Sequence, residues 1–299
     1  KIRGERTSVE PTEGERVPLE QQVGAAIEGV HAVRLDTRET DRRSLRWILT
    51  GGLYVPAVIL VALYGFTMHT LGVVEGRAEE PDLTIEVVGR QFWWEVHYLD
   101  EEGRRLFATA NEIHIPVGRN VLLRLESADV IHSVWVPRLA GKMDMIPGRT
   151  NSLRIRADSP GVHRGQCAEY CGTQHAQMLL LVIAQEEAEF EAWLDAQRRP
   201  AAPPADSLAR AGLEVYLRNA CQACHEIRGV TQPGERIGPD LTHLASRRTI
   251  GAGILPNTRG HLGGWVANPQ ALKPGNPMPP VPLGAEDFTA LVHYLESLR

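Results

Sequence analysis

The chain has 299 residues, of which 43% are hydrophobic and 23% are charged. This composition excludes a disordered tail, a collagen and a disulfide-rich mini-protein, and the length accommodates two or three domains. The formal net charge of −5 gives no support to nucleic-acid binding, so we expect no nucleic-acid partner. The 4 cysteines form two close pairs, at positions 167 and 171 and at positions 221 and 224.

Residues 47–74 contain no Asp, Glu, Lys or Arg. This run is longer than the roughly 20 residues that a helix needs to cross a bilayer, and membrane helices tolerate its glycines and its proline. We therefore predict one transmembrane helix over 47–74, in preference to a buried core helix or a signal peptide. Without a carboxylate or a lysine, it is expected to be an anchor and not a proton path.

The flanks of this run predict its orientation. Five arginines precede it within residues 34–46, whereas acidic residues dominate the stretch that follows it. Because positive charge stays inside, the segment 1–46 is expected in the cytoplasm, mostly extended, with everything after Val74 outside. In a bacterium this means an anchor in the plasma membrane, with the following domains in the periplasm or on the outer face.

Residues 75–185 have the pattern of an all-β sandwich or barrel. The stretch 83–99 alternates as a strand does, and shorter strands are predicted over 104–108, 112–115, 120–126, 133–136, 152–157 and 178–184. Prolines and glycines separate these strands at the spacing that is typical of an antiparallel Greek-key sandwich.

The hydrophobic period changes after residue 185. Phe190, Trp193 and Leu194 fall on one face of a predicted helix over 186–199, and a stiff, extended Pro/Ala linker follows over 198–206. The last domain, 207–299, is predicted to be helical over 207–219 and 287–298, with loops between. It has few apolar residues, so we expect it to fold around a cofactor.

Four soft ligands lie within residues 167–178. They are Cys167, Cys171, His175 and Met178. Two thiolates, an imidazole and a thioether favour copper over magnesium or calcium. A zinc site would not use methionine, and its cysteines more often sit two to four residues apart in paired knuckles. A disulfide between the two cysteines stays open, because the domain is expected outside the cell.

The motif CAEYCGTQHAQM resembles the binuclear copper (CuA) loop of cytochrome c oxidase subunit II, whose domain is a cupredoxin. The stretches HSVWVPRLAGKMDMIPGRTNSL and GRQFWWEVHY are also similar to that family, so the resemblance covers residues 47 to about 185. It implies that Cys167 and Cys171 bridge two copper ions. His132 and His175 would each bind one of them.

The resemblance implies further ligands. Met178 would be a weak copper ligand, and Glu169 would offer its backbone carbonyl to copper. The Glu169 side chain would reach a magnesium ion at the contact with subunit I.

Two departures from the family stand out. The family usually has two membrane helices, so either a first helix precedes Lys1 or this is a one-helix variant. The electron-accepting tryptophan of the family is replaced by Phe92, so the electron path through Phe92, Trp93 and Trp94 is expected to differ from the usual surface route.

Cys221, Cys224 and His225 form C-x-x-C-H, the attachment motif of a c-type haem. The alternatives are a coincidental C-x-x-C and half of a zinc site, although no second C-x-x-C pair follows. The stretches AGLEVYLRNA and IGPDL resemble the first helix and the haem-packing loop of class I cytochromes c. Both thiols would bind the porphyrin covalently, with His225 as one axial ligand of the iron.

The second axial ligand is predicted by elimination. Met278 is the only methionine in the last domain, and its loop KPGNPMPP is similar to the methionine loop of cytochromes c. The rivals are His243, His261 and His293, which we assign to packing or to the surface. A methionine ligand raises the potential of a haem, as a donor to copper requires.

These observations predict a multidomain chain that is the electron-accepting subunit of a haem-copper terminal oxidase, a cytochrome-c oxidase. It would pass electrons from an external donor, such as a cytochrome c or a bc complex, through haem c and CuA to subunit I, which reduces dioxygen. Subunit III is a further expected partner. Two alternatives stay open: the same relay in a nitric oxide reductase, and a membrane-anchored electron carrier without a catalytic partner.

Overall fold

The computed structural model describes residues 41–75, 80–219, 221–232, 234 and 237–299. The expectation for the segment 1–46 therefore falls mostly outside the described residues, as do the charges at 76–79. The described residues form two units, one on either side of residues 76–79, and each is taken by itself.

The first unit is one long apolar helix. Residues 41–49 are α-helical, a π-helical turn follows at Thr50–Tyr54, and helix α1 spans Val55–Glu75. Pro56 lacks an N–H, and its ring crowds the preceding helical turn. The π-helical turn widens the helix at this point, with the Val55 N–H donating to the Thr50 carbonyl, and so relieves the crowding. Within the span Asp41–Gly72, the most apolar 18-residue window has a mean hydropathy of 1.9, and no residue of that window is buried. The prediction of one helix able to span a membrane is confirmed, and the helix begins earlier than residue 47 because the arginine-rich flank continues it.

Ten strands in two five-stranded sheets open the second unit. They are β1 (Leu83–Arg90), β2 (Trp93–Leu99), β3 (Arg105–Ala110), β4 (Glu112–Pro116), β5 (Val121–Ser127), β6 (His132–Trp135), β7 (Lys142–Met145), β8 (Asn151–Ile155), β9 (Gly161–Cys167) and β10 (Leu179–Gln185). The strand orders are β3-β2-β1-β5-β8 and β4-β10-β9-β6-β7. The predicted cupredoxin-like sandwich is confirmed.

Two details of the sandwich differ from the sequence prediction. The run 83–99 is two strands, because the chain turns at Gln91 and Phe92 and β1 pairs antiparallel with β2. Strands β7 and β9 were not predicted. The inward positions of β9 are His163, Gly165 and Cys167, so this strand has no alternating apolar signal.

The core of the sandwich lies between the sheets and extends to one end, where the metal-ligand residues sit. Strand β5 shows the alternation, since Val121, Leu123 and Leu125 are fully buried while the residues between them are partly exposed. Cys167, Cys171 and Met178 belong to the same apolar cluster. The ligand loop is therefore fixed by core packing and is not a free surface loop.

The rest of the unit is mainly helical. It consists of α2 (Glu187–Arg198), α3 (Ser207–Arg218), α4 (Arg259–Ala267), α5 (Pro269–Leu272), α6 (Ala285–Ser297) and a small ribbon of β11 (Thr249–Ile250) and β12 (Leu255–Pro256). The predicted helical C-terminal domain is confirmed. Helix α4 was expected as loop, because Gly260, Gly263 and Gly264 lower its helix propensity.

Residues 199–206 have no regular structure, yet they are bound to the C-terminal domain. The Ala201 N–H donates to the Arg228 carbonyl at 3.0 Å, and His243 Nε2 lies 3.0 Å from the Arg199 carbonyl oxygen. This segment therefore lies along the domain that it precedes.

Candidate metal and haem centres

Three buried side chains meet at one end of the sandwich. His132 begins β6, Cys167 ends β9 and Cys171 lies in the following loop, and their ligand atoms all lie within 4.8 Å of one another. The two Sγ atoms are 3.9 Å apart, nearly twice the roughly 2.05 Å of a disulfide bond. The cysteines are therefore two separate sulfur donors, and all four cysteines of the chain are free.

His132 is held in a fixed orientation. Its Nε2 lies 2.7 Å from Asp129 Oδ1, and its Nδ1 faces Cys167 Sγ at 3.9 Å. A Cβ on Gly89 would lie 2.7 Å from the imidazole, so glycine makes room for the ring. Burial lowers the pKa of His132, but the hydrogen bonds and negative charges of Asp129 and Cys167 together outweigh it, and the net pKa is raised. Asp129 was missed by the sequence analysis, although an acidic residue three positions before the histidine was the available signal.

Three further predicted donors join the cluster. His175 Nδ1 and Met178 Sδ each lie 3.8 Å from Cys171 Sγ. The Glu169 carbonyl oxygen lies 3.2 Å from Cys167 Sγ. A short 3-10 helix at His175–Gln177 turns the loop so that these donors face inward.

The two thiols are electrostatically unequal. A hydrogen bond between the sulfurs lowers the pKa of Cys167, while the neighbouring thiolate raises the pKa of Cys171. One thiolate is thus favoured before any metal binds, and thiolates are the metal-binding form of cysteine. Sulfur and imidazole donors that are buried together in this way fit a soft metal such as copper.

A cavity of about 400 Å³ lies in the C-terminal domain, within the size range of about 300–1,000 Å³ that cofactor pockets have. Cys221, Cys224, His225 and Met278 line it, and its other walls are largely apolar. His225 Nδ1 lies 2.8 Å from the Pro239 carbonyl oxygen, which leaves Nε2 as the free ligand atom.

Gly238 allows this backbone to approach the histidine. A Cβ at Gly238 would lie 2.7 Å from His225 Cε1. Burial lowers the pKa of His225, which favours the neutral ring that binds iron. The predicted haem ligands therefore face one enclosed space of suitable chemistry.

The rival histidines have other partners. His243 contacts the Arg199 carbonyl, His261 pairs with Thr258, and His293 pairs with Asp206. Among the residues that the structure describes, the cavity lining includes none of these three histidines.

Two of the three predicted electron-path residues line the cavity of the C-terminal domain. Phe92 and Trp93 come from the sandwich, yet both line the cavity of the C-terminal domain. Trp93 packs against Ala252 of that domain. Trp94 instead points into the sandwich, where it is fully buried and meets the His132 ring edge-on at 6.0 Å between centroids.

Two family models match the chain. "Cytochrome C oxidase subunit II, periplasmic domain" matches residues 83–185, and "Cytochrome c" matches residues 209–299. Cytochrome c oxidase subunit 2 of Alkalihalophilus pseudofirmus is 39% identical over 251 residues, covering 82% of this chain and 71% of that protein. The subunit 2 of Bacillus subtilis is 28% identical over 259 residues, covering 83% and 71%.

Among solved structures, the periplasmic domain of subunit II of cytochrome oxidase of Bradyrhizobium japonicum is 32% identical. The match covers 40% of this chain and 96% of that one, with a TM-score of 0.36. The family rests on the sequence matches, which span both extramembrane domains and most of the length of the Alkalihalophilus relative. The chain belongs to the cytochrome c oxidase subunit 2 family, with a cytochrome c domain following the cupredoxin domain.

Proposed function

We propose that this chain relays electrons from an external donor, through a haem c and a binuclear copper centre held by the residues named below, to subunit I of a haem-copper oxidase. As a member of its family, the chain is the electron-accepting subunit of a terminal oxidase. The observation that carries the relay is that Phe92 and Trp93 of the sandwich line the cavity beside the C-x-x-C-H motif.

The copper centre is assigned to the cluster around the two free thiols. Cys167 and Cys171 would bridge the metal ions, His132 and His175 would bind one each, and Met178 with the Glu169 carbonyl would complete the set. When bound, this centre supplies a one-electron carrier. Support comes from the 3.2–3.9 Å spacing of the donor atoms and from their burial in the core of the sandwich.

The haem is assigned to the cavity in the C-terminal domain. Cys221 and Cys224 would bind it covalently, with His225 and Met278 as axial ligands. When bound, the haem would supply a second one-electron carrier, and a methionine ligand would raise its potential. The Pro239 carbonyl would fix the tautomer and the orientation of His225.

The surface around the copper loop supports a docked partner. Val130, Ile131 and Tyr170 are exposed apolar side chains close to His132 and Cys171 in sequence, and Tyr170 is 74% exposed. We assign this face to the contact with subunit I, where the Glu169 carboxylate would bind magnesium. Subunit III is a further partner.

The helix over Asp41–Gly72 would anchor the chain in a bacterial plasma membrane. The arginines before it favour a cytoplasmic location for its N-terminal side. The cupredoxin and cytochrome c domains would then face the periplasm or the outer surface, where a cytochrome c or a bc complex delivers electrons.

The test is purification of the complex from membranes through a tag on this chain. We expect a haem-rich partner, oxygen consumption with reduced cytochrome c, and a mixed-valence copper signal in electron paramagnetic resonance. Cys167→Ser and Cys171→Ser should each abolish that signal while the haem c spectrum survives. A signal that persists in both variants would contradict the copper assignment, and consumption of nitric oxide instead of oxygen would contradict the oxidase assignment.

A further inference from the structure

A buried lysine joins the two redox domains. Lys273 follows α5 in the cytochrome c domain and is only 2% exposed. Its Nζ donates to the carbonyl oxygens of Phe92 and Gln177 at 2.8 Å each and of Gly251 at 3.0 Å. Burying an ammonium is costly unless it is hydrogen-bonded, and these three acceptors match its three donor hydrogens. Two of the three carbonyls belong to the sandwich.

A buried carboxylate of the sandwich binds the backbone of the cytochrome c domain across the same interface. Glu112 begins β4 of the sandwich and is 2% exposed. It accepts hydrogen bonds from the backbone N–H groups of Arg248 and Thr249, both at 2.9 Å, and from Thr249 Oγ1 at 3.0 Å. Each domain therefore holds the backbone of the other with one charged side chain.

The residues that Lys273 holds lie on the way from one site to the other. Phe92 lines the haem cavity, as Lys273 itself does. The ring of Phe92 also touches the copper loop, since a Cβ on Gly172 would lie 3.0 Å from Phe92 Cε1. Gln177 immediately precedes Met178. One ammonium thus fixes the cavity wall, the aromatic ring and the copper loop relative to one another.

Other contacts also hold the domains together. The Leu179 N–H donates to the Ala252 carbonyl at 3.0 Å, and Gln174 Nε2 donates to the Pro274 carbonyl at 2.7 Å. Each of these contacts joins one pair of residues. Lys273 differs from them because its Nζ reaches both the Phe92 carbonyl at the cavity wall and the Gln177 carbonyl in the copper loop.

We propose that Lys273 is a positioning residue for electron transfer from haem to copper, with Glu112 as its counterpart on the sandwich. By holding the Phe92 and Gln177 carbonyls, it keeps the aromatic ring and the copper loop at a fixed distance from the haem cavity. The inference rests on the proposed function, because it requires both centres in one chain.

The test compares the complete oxidase complex with its Lys273→Met and Lys273→Arg variants. Flash photoreduction of the haem, followed by absorbance at the haem and copper bands, gives the rate of transfer between them. We expect Lys273→Met to slow this rate severalfold, because electron tunnelling between two centres falls exponentially as the distance between them grows. Lys273→Arg keeps the charge and the donors and should recover part of the rate. Arg156→Met, which removes an exposed charge from the sandwich, is the matched control and should transfer at the normal rate.

A second readout does not depend on electron transfer. Hydrogen exchange of the Leu179 amide, which bonds across the interface, should be faster in Lys273→Met. Slower transfer together with faster exchange supports the proposal, and an unchanged transfer rate overturns it. Slower transfer with unaltered exchange would contradict the holding role.

If Lys273→Met fails to take up either centre, Glu112→Leu decides the question, because it removes the acceptor of the Arg248 and Thr249 N–H groups. This variant should slow transfer, and a normal rate with both centres present would overturn the inference. Absence of haem or copper from the unaltered complex would instead contradict the proposed function itself.

Discussion

Phe92 contacts Gly172, the residue that follows Cys171 in the copper loop, and the same phenyl ring lines the cavity beside the C-x-x-C-H motif. Gly172 has a φ of +128°, a backbone conformation that favours glycine. No side chain therefore stands between the loop and the ring. One aromatic side chain touches both candidate centres.

Replacing Phe92 tests this contact. We expect Phe92→Leu to slow transfer from haem to copper, because the aromatic bridge is lost and the smaller side chain leaves a gap beside Gly172. Phe92→Trp keeps an aromatic ring and should retain more of the rate. Flash photoreduction measures the transfer rate in both variants. Equal rates in the Leu variant and the unaltered complex would show that Phe92 is not part of the electron path.

The methionine of the haem cavity is expected to set the haem potential. Met278→His keeps six-coordinate iron but should lower the potential, because imidazole favours ferric iron more than a thioether does. Transfer to copper would become uphill, so turnover with a physiological donor should fall while small artificial donors still reduce the copper. A potentiometric titration checks this, and an unchanged potential would mean that Met278 is not the ligand.

Helices α3 and α6 pack so closely that only glycine fits at one position. A Cβ on Gly212 would overlap the Ala290 carbonyl oxygen and lie 2.6 Å from Tyr294 Cβ. Gly212→Ala should therefore destabilise the cytochrome c domain by about 1–3 kcal/mol, as overpacking does in other cores.

Gly260→Ala is the matched control. Gly260 lies in α4, and a Cβ at this position would have no other atom within 4 Å, so the change should be neutral or stabilising by up to about 1 kcal/mol. Thermal unfolding followed at the haem band measures both variants. Equal unfolding temperatures in the two would contradict the close packing of α3 on α6.

The buried His114 ring is expected to make the stability of the sandwich depend on pH. Its ring stacks on Trp193 at 4.0 Å, its Nδ1 lies 2.6 Å from Gln185 Oε1, and burial lowers its pKa to about 4. In the unfolded chain His114 has its ordinary pKa of about 6.5, so between pH 6.5 and pH 4 the unfolded state binds this proton more readily than the folded state. The free energy of unfolding should therefore have its full value above pH 6.5 and decline towards pH 4.

The loss from this one group should be no more than about 3 kcal/mol. His114→Asn keeps a hydrogen-bond donor but cannot titrate, so its unfolding temperature should change less between pH 6.5 and pH 4. Identical pH profiles would show that His114 does not control the acid response.

Most candidate ligand residues could be identified from the sequence because they lie in short motifs. Cys167, Cys171, His175 and Met178 occupy one loop, and Cys221, Cys224 and His225 occupy another. Only residue types and spacing were needed to assign their chemistry. His132 lies outside these motifs, and its role was implied by the resemblance of the stretch HSVWVPRLAGKMDMIPGRTNSL to the subunit II family.

The contact between the domains could not be predicted. Lys273 and Phe92 are 181 positions apart, and Glu112 and Arg248 are 136 apart, so no local pattern connects them. The sequence suggested a cytochrome c domain on an extended linker. In the structure that segment lies along the domain, and buried charges fix the domain to the sandwich.

We expect electrons to enter at the haem and to reach the copper through the packed interface. Stopped-flow mixing of the oxidised complex with a reduced physiological donor, followed at the haem c and copper absorbance bands, measures the order in which the two centres are reduced. The haem should be reduced first, and the copper should follow at the rate at which the haem is reoxidised. Reduction of the copper before the haem would contradict this expectation.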